Sequence, residues 1–267
     1  MKSARWNIYW ALLFQSVWMA VFLVPGFIAE HSDSKFLIYG FDNYQEQLHL
    51  SASLGVMVLV VYAVRRFKNL TWAGALQFLG YKKPNFKQII IGLASCLPLV
   101  LYWFYRVSCG MVSFDRDLSG EQTTYIIIMA GFFEETFYRG FLFRMFRQDR
   151  SFIYAAALSG LLWSFSHLVN FAWWGISWNR QGMFVFLIAV FLYSIPAAWL
   201  FERGGNIIWG FMAAHLGWDL GISLFTTNNQ FRDLDILRSG QFYYYTAFIS
   251  SGLVIWALSS WLLRRKT

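Results

Sequence analysis

The stretch Gly131-Phe132-Phe133-Glu134-Glu135-Thr136-Phe137-Tyr138-Arg139-Gly140 places two adjacent glutamates and an arginine in a run otherwise as apolar as a membrane helix. Tyr125, Ile126, Ile127, Ile128 and Met129 precede it; Phe141, Leu142 and Phe143 follow. A charged side chain at bilayer depth costs about 3 kcal/mol or more, so something must offset it. On an α-helix Glu135 and Arg139 are i,i+4 neighbours and can pair. Glu134 is turned about 100° from that face and is expected to be left free. One carboxylate neutralised by its own arginine, beside one that is available, is the pattern of a built site.

The rest of the chain is the setting for that stretch. Of 267 residues, 58% are hydrophobic and 13% charged, against about 25% charged in a soluble domain. Mean hydropathy is +0.44. The fold class expected is all-α, an integral membrane bundle. The size suits a single polytopic domain over 1–267. The net charge of +8 does not mark a nucleic-acid partner, because the basic residues sit at the ends of apolar segments, where they set orientation. The partner implied is the lipid bilayer. Cys96 and Cys109 are too few for a disulfide framework.

About eight transmembrane helices are expected, at about 6–28, 48–64, 86–105, 123–146, 152–172, 183–201, 207–225 and 243–263. The first follows Lys2 and Arg5 and is long enough to span, so it reads as a retained helix rather than a signal peptide. An acidic loop is expected from Glu30 to Glu46, a kink at Pro98, and a short interfacial helix with Trp72 over 70–79. Lys2 and Arg5, the run from Arg65 to Lys87, Arg144 to Arg150, Arg203 and Arg264 to Lys266 fall on one side. The positive-inside rule then puts both termini in the cytoplasm of a multi-pass cell-membrane protein. The terminal Arg264-Arg265-Lys266-Thr267 is expected to carry no prenylation box.

Four histidines are present. His31 and His49 lie in or beside the first external loop; His167 and His215 lie in apolar helices. Trp163 stands one turn before His167 on the same face, and His215 and Asp219 share a face at i,i+4. Each feature alone has a packing explanation: a helix–helix hydrogen bond, or a buried ion pair holding register. Together, Glu134, His167, His215 and Asp219 lie on three helices, and one shared polar cavity is the least costly way to bury them. Gly210, Ala213, Ala214, Gly217 and Gly221 would let neighbouring backbones approach the third of these helices.

Such a set can hydrolyse a peptide bond. Glu134, next to another carboxylate and in low dielectric, suits a general base. His167 can share the water and protonate the leaving amine. His215 can donate to the oxyanion, with Asp219 orienting it. Alternatively Glu134, His167 and His215 can bind one zinc ion, with Asp219 as ligand or neighbour. The sequence leaves both open, and the lack of H-E-x-x-H excludes only the ordinary zincin arrangement.

The ordered set E-E-x-x-x-R (Glu134 to Arg139), aromatic-x-x-x-H (Trp163 to His167) and H-x-x-x-D (His215 to Asp219) resembles the CPBP family, the CAAX-processing and bacteriocin-processing (Abi) intramembrane proteases. The approach Gly204-Gly205-Asn206-Ile207-Ile208-Trp209 ahead of Ala213-Ala214-His215 is similar too. The resemblance covers about 120–225, the expected catalytic core. It implies a glutamate-dependent membrane endopeptidase acting on a membrane-associated protein or peptide, with Glu134, Glu135, Arg139, His167, His215 and Asp219 catalytic and Trp163 against the substrate. Two positions depart from the family: Trp163 stands where Phe is usual, and Asp219 where Asn is frequent. An ionised Asp219 cannot donate to an oxyanion. The competing classes are a proton-coupled transporter, against which stands the lack of an internal repeat, and a non-catalytic peptide-binding immunity protein.

Overall fold

The structure, a computed structural model, describes residues 2–30, 34–110, 120–168, 180–225 and 234–263. Among these residues every regular element is a helix. In chain order they are α1 (Lys2–Glu30), α2 (Lys35–Phe67), α3 (Trp72–Phe78), α4 (Phe86–Ser95), α5 (Leu97–Ser108) and α6 (Gly120–Ile126). Two π-helical segments follow, Ile127–Glu134 and Thr136–Phe143, and then α7 (Arg144–Arg147). The chain closes with α8 (Phe152–Ser166), α9 (Arg180–Arg203), α10 (Trp209–Phe225) and α11 (Leu234–Leu262).

Among the described residues three helices are long and apolar enough to cross a membrane: Gln47–Phe67, Phe86–Ser108 and Met183–Arg203. Phe152–Ser166 and Thr246–Leu262 are shorter apolar helices. The second of the three spans is α4 and α5 together. The break expected at Pro98 falls at Cys96, with the proline in the first turn of α5, where its missing N–H removes no helical bond.

Two expected loops are helical instead. The helix α2 begins at Lys35, inside the acidic segment, and carries His49 as a buried residue rather than an external one. The helix α11 begins at Leu234, ahead of its apolar stretch. Hydropathy marks the part of a helix that meets lipid or core; the backbone hydrogen bonds continue past it wherever no breaker intervenes. His31 and the loop residues Asp115 to Asp117 lie outside the described residues.

Close backbone contact sets where the motif helices sit. A Cβ on Gly92 of α4 would lie 1.9 Å from the carbonyl oxygen of Gly210 in α10. One on Gly217 would lie 2.4 Å from Cys96 Sγ. These small residues let α10 press against the α4–α5 break, as the small-residue run suggested. On the other side, α9 packs against α8 and α11. An aromatic stack ties α1 to the π-helical segments: Trp18 lies 5.4 Å from Phe133, and Phe14 meets Phe141 edge-on at 5.5 Å. At one end of the bundle Thr71 caps α3 and Arg65 lies over the exposed Trp72 ring, as an interfacial helix requires.

Candidate active site

The double-glutamate stretch does not lie on a regular α-helix. Residues 127–134 and 136–143 form two π-helical segments that meet at Glu135. Such i→i+5 turns are rare and are found mainly at functional sites. Both carboxylates reach His215 on α10, Glu135 at Nδ1 and Glu134 near Nε2.

Glu135 is fully buried and sits between two partners. Its Oε2 lies 3.5 Å from Arg139 Nε, the i,i+4 pair read from the sequence. Its Oε1 accepts from His215 Nδ1 at 2.5 Å. The sequence reading gave the orienting role to Asp219, on the same helix as His215. Asp219 is instead on the opposite edge of the ring, with Oδ2 3.6 Å from His215 Nε2. An i,i+4 spacing could suggest that contact, but nothing in the spacing could reveal a carboxylate 80 residues away.

Arg139, 2% exposed, is held by rings as well as by Glu135. Its guanidinium lies 3.9 Å from the Trp163 centroid and 4.6 Å from that of Phe211. Desolvated cation–π contacts of this kind contribute about 2 kcal/mol. The buried cation is therefore compensated locally by Glu135 and the two rings.

Glu134 is not left free. Its Oε2 accepts from Trp163 Nε1 at 2.7 Å and lies 4.0 Å from His215 Nε2. The glutamate side chain keeps 18% of its surface open, against none for Glu135. Of the two, Glu134 is the one that can meet a small molecule.

His167 is the C-cap of α8. Ser151 starts that helix by accepting from the N–H of Tyr154, and fifteen residues bring the chain to Ser166, about 22 Å along the axis. His167 Nδ1 donates to the Trp163 carbonyl at 2.9 Å. A carbonyl only accepts, so the proton is on Nδ1 and Nε2 is left for chemistry. The rest of the expected helix, 169–172, lies outside the described residues.

Glu134, His167, His215 and Asp219 line one cavity of about 210 Å³. Trp163, Phe186, Tyr193, Trp218 and Phe248 form much of its wall. The sequence reading singled out Trp163 alone among these. The others sit in apolar runs and carry no signal until α9 and α11 close the cavity. Glu135 and Arg139 do not line the cavity; they touch its lining at His215 and Trp163 respectively. Among the described residues no group of three or more His, Cys, Asp or Glu side chains is arranged to hold a metal ion. The four candidate zinc donors share the cavity without forming such a group.

The arrangement can hold a water against Glu134, with imidazoles on either side and a dry aromatic wall around it. No curated protein matches the chain. Residues 121–221, about two-fifths of its length, match the family model described as Type II CAAX prenyl endopeptidase Rce1-like. That stretch runs from the start of the double-glutamate segment past Asp219 and so contains every residue of the cavity's polar face. Over its catalytic core the chain is thus similar to the Type II CAAX prenyl endopeptidase Rce1-like family, consistent with a CPBP-type membrane protease.

Proposed function

We propose that the chain is an intramembrane endopeptidase that hydrolyses a peptide bond of a membrane-associated protein or peptide with a water activated by Glu134. The observation that carries the reading is the convergence of Glu134, His167, His215 and Asp219 on one cavity. Family similarity over 121–221 supports the same reaction class. A prenylated protein ending in C-a-a-X is the substrate class that the family description suggests.

The steps follow from the hydrogen bonds. Trp163 occupies Glu134 Oε2, so Oε1 takes the proton of the attacking water. The tetrahedral oxyanion faces His215, whose protonated Nε2 donates to it while Glu135 holds Nδ1. The proton that Glu134 takes from the water passes through His167 Nε2, the unprotonated ring nitrogen, to the leaving amine as the C–N bond breaks, and Glu134 is again a carboxylate. Asp219, beside His215 Nε2, balances the charge of the imidazolium.

A second reading keeps the residues and adds one zinc ion. The engaged Nδ1 atoms of both imidazoles favour it, because they leave both Nε2 atoms for a metal. Glu134, His167, His215 and Asp219, not arranged as a metal-holding group as they stand, would have to draw together around it, and the ion would supply Lewis-acid activation of water.

The whole chain is read as one polytopic domain of the cell membrane, with both termini in the cytoplasm. Reporter fusions at each terminus test that orientation. The function is tested with purified protein and a fluorogenic farnesylated C-a-a-X peptide. Glu134→Gln should lower turnover about 10²–10⁴-fold; full activity in that variant would end the reading.

A further inference from the structure

We propose that Trp163 is a positioning residue for Glu134: its indole N–H fixes Oε2 and leaves Oε1 as the oxygen that meets the water. The catalytic part rests on the peptidase reading; the hydrogen bond itself does not.

The indole is built into place. Trp163 is 2% exposed, and its Nε1 donates to Glu134 Oε2 at 2.7 Å. An indole can only donate, so the bond has one direction. Arg139 covers one face of the ring at 3.9 Å. His167 and His215 both meet it near-perpendicular, with centroids 5.4 Å and 5.5 Å away. The ring cannot swing without disturbing all three, so its N–H is a rigid reference for the carboxylate.

Glu134 needs such a reference. Glu135 is its chain neighbour, and Asp219 lines the same cavity. Two further carboxylates repel a third. A short N–H bond to the carboxylate opposes that repulsion. The phenylalanine usual in the resembled family would offer Arg139 a ring but would give Glu134 no donor. The tryptophan of this chain supplies one, in a chain whose third motif carries Asp219 where an amide is frequent.

The decisive change removes the donor and keeps the shape. Benzothienylalanine in place of Trp163 replaces the N–H by sulfur; Trp163→Phe is the simpler companion. With the farnesylated probe peptide, the expected result for the isostere is a fall in kcat of about tenfold or more, because a shifted base is out of line. KM should stay within about twofold, as expected when only a transition-state interaction is lost. A residue that merely packs would leave kcat unchanged in the isostere, and that outcome overturns the proposal.

A second measurement needs no turnover. In ¹⁵N-tryptophan-labelled protein in detergent, the indole N–H resonance lost in Trp163→Phe is that of Trp163. Glu134→Ala, which removes the acceptor, should move that resonance more than any other indole signal. If it stays in place, the bond is absent and the proposal falls. If wild type cleaves no probe while the resonance moves, the peptidase reading fails and the positioning of Glu134 stands.

Discussion

Glu135 Oε1 accepts from His215 Nδ1 at 2.5 Å, joining the double-glutamate segment to the helix of the third motif. The same carboxylate pairs with Arg139 through its other oxygen. One fully buried group thus orients an imidazole and neutralises a cation. Removing it should leave Arg139 uncompensated in the core. Glu135→Ala is expected to destabilise the protein by about 3–5 kcal/mol, read as a lower midpoint of thermal unfolding in detergent. A midpoint equal to wild type would mean the pair holds nothing together.

Glu134→Gln should behave differently. Its side chain is partly open to the cavity, and glutamine still accepts from Trp163 Nε1 through its carbonyl oxygen. The unfolding midpoint should therefore match wild type while turnover of the probe is lost. Equal loss of stability in the two glutamate variants would show that the functional split between them is wrong.

Asp219→Asn returns the amide frequent in the resembled family to a position 3.6 Å from His215 Nε2. An amide N–H can donate to an oxyanion, and a carboxylate cannot. Turnover of the farnesylated peptide should fall several-fold, because a neutral asparagine cannot balance the charge of the His215 imidazolium. A rise instead would show that an amide donor to the oxyanion outweighs that charge and would end the charge-balancing role of Asp219.

Metal content separates the two forms of the mechanism. Under the leading reading, active wild-type protein carries no stoichiometric metal by mass spectrometry and retains turnover in chelator. One zinc per chain, lost in His167→Ala/His215→Ala, would establish the second.

The α4–α10 contact gives a test remote from the cavity. A Cβ at Gly92 would meet the Gly210 carbonyl oxygen at 1.9 Å, so one backbone must move. Gly92→Ala is expected to cost about 1–3 kcal/mol by overpacking and to lower kcat by shifting His215. Unchanged unfolding and unchanged kcat together would show that this crossing does not fix α10.

The sequence by itself determined the membrane setting, the helical class and the identity of the polar groups. Charged residues in apolar runs are too costly to be incidental, so Glu134, Glu135, Arg139, His167, His215 and Asp219 could be picked out one by one. The pairing of Glu135 with Arg139 was legible because i,i+4 neighbours meet on any α-like turn. Only the tertiary structure decided which group serves which. Glu135 holds His215 Nδ1, a place the sequence pattern offered to Asp219. The helix crossing brought Trp163 to Glu134 across 29 positions of chain. Periodicity along one helix reports what shares a face. Contacts between helices depend on crossing angles and small-residue approaches that no local pattern contains.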